Sequence, residues 1–208
     1  VTDDGPELSV DAGALPVALA VEEFDLRTAQ GGQAQSLVDL STVFLIEGGG
    51  DGQQSLSYSF SQSGVISAVD QFGNPLTDSQ TDTTLNWSLE GGALVARTND
   101  ANAFEVLRFS LNNGSLELVQ SRALEHPDDG NPNDVLRFSL QNVAIDGVLS
   151  DNDADTASAS LSLADITVTV TDDGPELSVD AGALPVALAV EEFDLRTAQG
   201  GQAQSLVD

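Results

Sequence analysis

The chain has 208 residues, of which 34 are aspartate or glutamate and six are arginine, and its formal charge at pH 7 is -28. Such a negative surface repels nucleic acid and anionic lipid, so neither is an expected partner. Because cysteine and methionine are absent, disulfides, thiol nucleophiles and soft-metal sites are excluded. No segment approaches the roughly 20 apolar residues of a membrane span, so no direct membrane insertion is expected.

The first 39 residues recur without change at 170–208, which gives a repeat length of 169 residues. Tandem repetition extends a polymer, so it favours a structural role in which neighbouring identical repeats are the partners. A unit of 169 residues can bury one core, whereas 39 residues cannot. We therefore expect a complete domain at 1–170, with 171–208 beginning the next identical repeat. The alternative is a complete domain at 40–208 with 1–39 left over.

Alternation of apolar and polar residues predicts strands along the whole repeat. The alternating apolar positions are Leu56, Tyr58 and Phe60, then Leu85, Trp87 and Leu89. The hexamer VLRFSL occurs at 106–111 and 135–140, which predicts two strands of one meander or paired sheet. Between strands, Asn113-Gly114 predicts a hairpin turn. At Ala164-Asp165 the apolar, inward-facing positions change from odd-numbered to even-numbered residues, which predicts a bulge or a change of sheet.

These strands predict an all-β fold, an antiparallel β-sandwich of about seven to ten strands. The pattern alone does not separate a sandwich from a barrel.

The strongest local signal for a ligand is the loop SDNDADTAS, which contains Asp151, Asp153 and Asp155. Alternate aspartates on a curved loop can direct several oxygens at one cation about 2.4 Å away, as Ca²⁺ requires. Asp146, a little earlier in a predicted Asp-Gly turn, is expected to join the same site. A solvated acidic loop is the competing interpretation.

A second acidic group is Asp172-Asp173, repeated as Asp3-Asp4. Adjacent carboxylates repel each other, and a bound cation reverses the sign of that interaction. We expect Ca²⁺ between the outgoing strand of one domain and an early loop of the next, with Glu22 and Glu23 (repeated as Glu191 and Glu192) and Asp25 as further ligands. Ordinary charges on an edge strand explain the same residues equally well.

A third candidate is Asp51, in the glycine-rich turn GGGDG, together with Glu47. The backbone carbonyls of such a turn are also potential Ca²⁺ ligands. The loop Asp128–Asn131 is more typical of a solvated turn.

Enzyme interpretations find little support in the sequence. His126 is the only histidine and no serine lies in a nucleophile-elbow pattern, so a catalytic triad is not expected. Zinc lacks its usual nitrogen and sulfur ligands. We therefore expect a protein that is not an enzyme. The alternative function is a carbohydrate-binding β-sandwich module, although one Trp and one Tyr do not indicate an aromatic groove.

The order AVEEFDL, GGGDG, RALEHP, SDNDADTASASLSL and ITVTVTDDGP resembles the extender repeat of giant RTX adhesins, which are exported by type I secretion. The resemblance implies an Ig-like sandwich with Ca²⁺ in and between domains, held by Asp151, Asp153 and Asp155 and by Asp172 and Asp173. It also implies an extracellular location on a Gram-negative cell surface. There the repeat would project a distal ligand-binding region for attachment and biofilm formation, with adhesion itself in other domains of the parent protein.

Overall fold

The structure, a computed structural model, describes residues 5–28, 32–50, 52–128 and 130–174. Within these ranges the chain forms thirteen strands: β1 (Glu7–Val10), β2 (Val17–Glu22), β3 (Ala34–Asp39), β4 (Phe44–Glu47), β5 (Gln53–Asp70), β6 (Thr77–Asp78), β7 (Thr83–Glu90), β8 (Ala93–Thr98), β9 (Glu105–Asn112), β10 (Ser115–Gln120), β11 (Val135–Asp151), β12 (Thr156–Ser162) and β13 (Ile166–Thr171). The described residues also form one helical turn, α1 (Asp25–Thr28), and three short 3-10 turns at Ala12–Ala14, Leu40–Thr42 and Leu163–Asp165.

The strands form an all-β sandwich, as the alternation predicts. One sheet has six strands in the order β3-β10-β9-β8-β7-β6, and the other has the order β12-β11-β13-β2 with β5 also paired to β11. β1 and β4 form a separate antiparallel pair. All pairs between strands are antiparallel except β13 and β2, which run parallel.

β11 organises the second sheet because it is long enough to pair with three strands. On one edge it pairs with β5 over most of its length, and on the other it pairs first with β13 and then with β12. Its buried side chains alternate along Val143, Ile145, Leu149 and Asp151. This alternation brings a carboxylate, Asp151, to the buried face at the end of the strand.

The core lies between the two sheets, and aromatic rings join them. Trp87 of β7 lies 6.2 Å from Phe109 of β9 and 6.5 Å from Phe138 of β11, measured between ring centroids. The same core contains these fully buried aliphatic side chains: Leu19, Leu94, Leu107, Leu116, Leu118, Leu140, Ile145 and Val168. Removal of these apolar surfaces from water is the main stabilising contribution to the fold.

Of the two local signals, the hairpin turn was predicted correctly and the phase change was not. Asn113 and Gly114 join β9 to β10 with positive φ angles of 49° and 81°, as a two-residue hairpin turn of the primed type requires. The bulge or change of sheet predicted at Ala164-Asp165 was wrong: a 3-10 turn, Leu163–Asp165, separates β12 from β13, and both strands pair with the same edge of β11 in one sheet.

The prediction for the two VLRFSL hexamers was wrong in one respect. Residues 106–111 lie in β9 of the six-stranded sheet, whereas 135–140 lie in β11 of the opposite sheet. Identical alternation brings Phe109 and Phe138 to the core from opposite sides, because a pattern of period two specifies the buried face but not the sheet.

The chain divides into two compact units, Val1–Gly174 and Pro175–Asp208, and the described residues all belong to the first. The domain boundary predicted at residue 170, and its alternative over 40–208, stay predictions. Among the described residues, no helix has both the length and the apolar character needed to cross a membrane.

Candidate metal centres

Two groups of side chains in the described part of the chain bring three potential metal ligands close together. The first, here called the aspartate cluster, consists of Asp151, Asp153 and Asp155. The second, here called the histidine cluster, consists of Glu23, His126 and Asp172. In each cluster one ligand atom of every residue lies within 4.8 Å of the others.

The aspartate cluster occupies the tight loop between β11 and β12. A register shift between Ser150 and Asp151 interrupts the pairing with β5, and Ala154 has a positive φ of 77°. The loop closes because Asp155 N donates to Asp151 Oδ1 at 2.9 Å and Asp151 N donates to Asp155 O at 3.1 Å. Alternate aspartates therefore face one region, as the sequence predicts.

Asp151 differs from its two neighbours in burial. Its side chain is fully buried, whereas Asp153 and Asp155 are exposed. Asp151 Oδ2 has no hydrogen-bond partner among the residues that the structure describes. A buried carboxylate oxygen without a donor costs about 1–3 kcal/mol or more. The oxygen set and this unsatisfied atom fit a hard divalent cation such as Ca²⁺.

Glycines from two other acidic segments lie against the loop that carries the aspartate cluster. A Cβ added to Gly5 would lie 3.7 Å from Asp155 Oδ2, and one added to Gly52 would lie 3.7 Å from Asn152 Nδ2. In the sequence, Gly5 follows Asp3-Asp4 and Gly52 follows Asp51. Those three predicted ligands themselves, and the repeated Glu191 and Glu192, lie outside the described residues.

The structure does not place Asp146 with the aspartate cluster. Asp146 lies within β11, opposite Ser160 of β12 and Ser59 of β5, so the interpretation of Asp146-Gly147 as a turn was wrong. Five residues of extended strand separate Asp146 from Asp151 by about 17 Å and turn their side chains to opposite faces. The pairing of β11 on both edges explains why an Asp-Gly dipeptide stays extended here.

The histidine cluster joins three chain segments at one end of the sandwich. Glu23 follows β2, and its backbone N donates to Thr171 O at 2.9 Å. Asp172 follows β13, and its N donates to Asp134 O at 2.9 Å. His126 lies in the connection between β10 and β11. Glu23 and Asp172 were predicted as ligands, but His126 was not, because its position in the sequence gives no sign of its neighbours in space.

Glu22 and Glu23 separate because adjacent residues of a strand point to opposite faces. Glu22 is exposed, whereas Glu23 is 5% exposed. Glu23 Oε1 accepts from Gln120 Nε2 and from Leu124 N, both at 2.8 Å. A glutamate of the following repeat was predicted next to Asp172, but Glu23 of the first copy occupies this position.

Asp173 has a different partner from Asp172. Arg27 of α1 contacts both oxygens of the Asp173 carboxylate, at 2.6 Å and 2.8 Å. Asp173 N donates to Asp172 Oδ1 at 2.8 Å. The charges of this acidic pair are therefore offset in part by an arginine and a backbone amide, so that repulsion between them does not by itself require a cation.

His126 is 9% exposed, and its Nε2 lies 3.6 Å from Glu23 Oε1. Burial lowers the pKa of His126, but the carboxylates of Glu23, Asp172 and Asp134 raise it more, so that the pKa lies above the ordinary value. The carboxylates thus favour a positive charge at this position, whether it comes from a proton or from a metal ion.

A family model described as a domain of unknown function, DUF5801, matches residues 18–164. The match covers more than half of the chain and includes the whole aspartate cluster. No curated protein matches the chain. The chain belongs to the DUF5801 family.

Proposed function

Starting from membership of the DUF5801 family, we propose that this chain is a structural repeat without enzymatic activity, stabilised by Ca²⁺ bound at the aspartate cluster. The observation that carries the proposal is Asp151, whose side chain is fully buried and whose Oδ2 has no hydrogen-bond partner among the described residues. A buried, ionised oxygen without a donor destabilises the fold unless a cation compensates it.

The chemistry of the cluster favours Ca²⁺ over other ions. All three side chains offer carboxylate oxygens, and Ca²⁺ accepts six to eight oxygen ligands with flexible geometry. Transition metals prefer sites with imidazole or thiolate ligands, and the aspartate cluster has neither. Because Asp153 and Asp155 are exposed, water can complete the coordination.

The same loop also explains how an ion would stabilise the fold. Asp151 ends β11, the strand that pairs with β5, β12 and β13, and Asp155 lies directly before β12. An ion held by both residues closes the β11–β12 hairpin at the end of the strand that pairs with three others. Its binding free energy adds to the free energy of unfolding because the unfolded chain has no such site.

We further propose that the repeat is an extender of a bacterial surface adhesin, located outside a Gram-negative cell. It would project a distal ligand-binding region for attachment or biofilm formation. Two features support this proposal: the unchanged recurrence of 39 residues and the resemblance to RTX adhesin repeats. In such an array the neighbouring repeats are the partners, and Ca²⁺ in and between domains would make it rigid.

The placement of the aromatic residues supports a structural role over carbohydrate binding. Trp87 packs against Phe109 and Phe138, and Tyr58 packs against Phe44 with ring centroids 5.2 Å apart. Sugar-binding surfaces rely on exposed aromatic rings, whereas Trp87 and Tyr58 are partly buried and pack against the core.

Thermal melting of the full chain tests the calcium proposal directly. We expect Tm to be higher in millimolar Ca²⁺ than in chelator, with Mg²⁺ at the same concentration giving a much smaller increase because it demands a tighter octahedral site. Equal melting in all three conditions would contradict the proposal.

The extender role needs a separate measurement. Small-angle scattering on a protein of several repeats should show a longer particle in Ca²⁺ than in chelator. An array whose maximum dimension is the same in both conditions would refute the role of Ca²⁺ in rigidity while leaving the stability result intact. Titration calorimetry with oligosaccharides should show no saturable heat, and a saturable signal would favour the carbohydrate-binding alternative.

A further inference from the structure

The histidine cluster has the properties of a second, chemically different metal site. Its members come from three segments that are far apart in the sequence: Glu23 after β2, His126 between β10 and β11, and Asp172 after β13. One ligand atom of each lies within 4.8 Å of the other two. Their backbones are anchored, since Glu23 N donates to Thr171 O and Asp172 N donates to Asp134 O.

His126 provides an observation that is independent of the acidic charges. It is 9% exposed, yet neither of its ring nitrogens has a hydrogen-bond partner among the described residues. The distance of 3.6 Å from Nε2 to Glu23 Oε1 is longer than the 2.7–3.2 Å of an N–H···O hydrogen bond. Buried polar groups in folded proteins are almost always paired, so a buried imidazole facing two carboxylates indicates an additional ligand.

The orientation of Glu23 is fixed by surrounding donors, as is common around metal-binding carboxylates. Glu23 Oε1 accepts from Gln120 Nε2 and from Leu124 N. Gln120 Nε2 also donates to Arg122 O at 3.1 Å. Because this amide nitrogen donates to both Glu23 Oε1 and Arg122 O, the orientation of the Gln120 side-chain amide is fixed. A carboxylate has about four acceptor positions on two oxygens, so two hydrogen bonds on Oε1 do not exhaust it.

We propose that Glu23, His126 and Asp172 bind a divalent transition-metal ion of the Zn²⁺ type, through one imidazole nitrogen and two carboxylates. Imidazole is a good ligand for such ions, whereas Ca²⁺ prefers oxygen alone. Bonds of about 2.1 Å in a tetrahedral site place ligand atoms about 3.4 Å apart. The separation of 3.6 Å between His126 Nε2 and Glu23 Oε1 is close to this value, and the ligand atoms of all three residues lie within 4.8 Å of one another.

Charge and access also fit this ion. Two carboxylates and a neutral imidazole balance the charge of a divalent cation, while the adjacent Asp173 is already paired with Arg27. His126 lines one surface pocket together with Glu125 and Pro127, and Glu23 lines another, so two of the three proposed ligands border pockets at the surface. An ion bound here connects the ends of β2 and β13 with the β10–β11 connection. The proposal does not depend on Ca²⁺ at the aspartate cluster.

Because His126 is the only histidine in the chain, NMR of the imidazole nitrogens reports on this site without a mutation. We expect one equivalent of Zn²⁺ to shift the His126 ring ¹⁵N resonances of the full chain, and the same concentration of Ca²⁺ to leave them in place. Ring resonances that stay at their metal-free position in stoichiometric Zn²⁺ would overturn the proposal, as would an equal shift with Ca²⁺.

Calorimetric titration with Zn²⁺ of matched variants tests the carboxylate ligands. Asp172→Asn is expected to weaken Zn²⁺ binding at least about tenfold, whereas Asp165→Asn, which removes the same charge from an exposed turn, should leave the affinity unchanged. Asp151→Asn should also bind Zn²⁺ normally, which separates this site from the calcium proposal. If Asp172→Asn binds as tightly as the wild type, the proposal fails; if that variant does not fold, the wild-type NMR result decides.

Discussion

Substitution of Asp151 by asparagine should change the stability of the fold in opposite directions with and without calcium. In the wild type, Asp151 Oδ1 accepts from Asp155 N at 2.9 Å, while the fully buried Oδ2 has no partner among the described residues. Asparagine retains an oxygen that can accept from Asp155 N, but it removes the charge that the cation compensates. The substitution therefore removes the charge of Asp151 while it keeps an acceptor for the hydrogen bond from Asp155 N.

The size of the effect follows from linkage. With Ca²⁺ at a hundred times its Kd, occupancy adds about 2.7 kcal/mol to the free energy of unfolding. For a domain of this size, 1 kcal/mol moves Tm by about 2–4 °C, so the wild type should melt about 5–11 °C higher in Ca²⁺ than in chelator. Asp151→Asn should lose most of this increase. In chelator it should melt at or above the wild-type Tm, because a neutral amide costs less to bury than an unpaired charge.

The assay is thermal unfolding of both proteins, followed by circular dichroism, in excess Ca²⁺ and in chelator. Asp146→Asn is the matched control, since it removes the same charge from the same strand about 17 Å away, and its calcium response should equal that of the wild type. The reasoning would be refuted if Asp151→Asn were less stable than the wild type by the same amount in both conditions. That result would mean that Asp151 stabilises the fold without a cation.

Three further predictions concern the stability of the fold itself. Asp78 is fully buried and forms two hydrogen bonds with Arg122, at 2.8 Å and 2.9 Å. Burial raises the pKa of Asp78, but Arg122 and the hydrogen bonds from Thr81 together lower it more, so the folded pKa lies below 3.8. The stabilisation is complete above pH 3.8 and is lost as the pH falls through the folded pKa. Asp78→Asn should therefore cost about 3–5 kcal/mol at pH 7 and progressively less in acid, as measured by urea unfolding from pH 2 to 7; a cost that does not change with pH would contradict this. Gly147→Ala should destabilise the fold by about 1–3 kcal/mol, since its new Cβ would lie 3.1–3.3 Å from the side chains around it. The control is Gly64→Ala in β5, whose new Cβ would lie 3.5 Å from its nearest atom, so this variant should unfold at nearly the wild-type denaturant midpoint. Equal midpoints for the two variants would count against the packing argument. Phe109→Ala should cost about 3–5 kcal/mol in the same assay, because the ring is fully buried against Trp87, and a cost below about 1 kcal/mol would show that the core is packed differently.

Features that depend on near neighbours in the sequence were predictable. The hairpin at Asn113-Gly114 follows from the preference of these residues for positive φ angles, and the side of β7 that faces the core follows from alternation around Trp87. The aspartate cluster belongs to the same class, because Asp151 and Asp155 are four residues apart and their loop closes on itself. In these cases the chemistry of a short segment is sufficient.

Features that depend on distant pairing were not predictable. The two VLRFSL hexamers have the same pattern but lie in opposite sheets, and Asp146 is part of a strand because β5 and β12 pair with β11 on both sides. Neither the alternation of apolar residues nor the turn preference of a dipeptide specifies which strand will pair with which.

The amino-acid sequence by itself therefore determined the all-β class, the recurrence of the repeat, the acidic surface and the local aspartate loop. Only the tertiary structure decided that Asp151 is buried while Asp153 is exposed, and that His126 meets Glu23 and Asp172. The physical reason is the distance along the sequence over which each effect acts. Alternation and turn preferences act over a few residues, whereas the burial of a carboxylate and the meeting of three segments depend on how two whole sheets pack around one core.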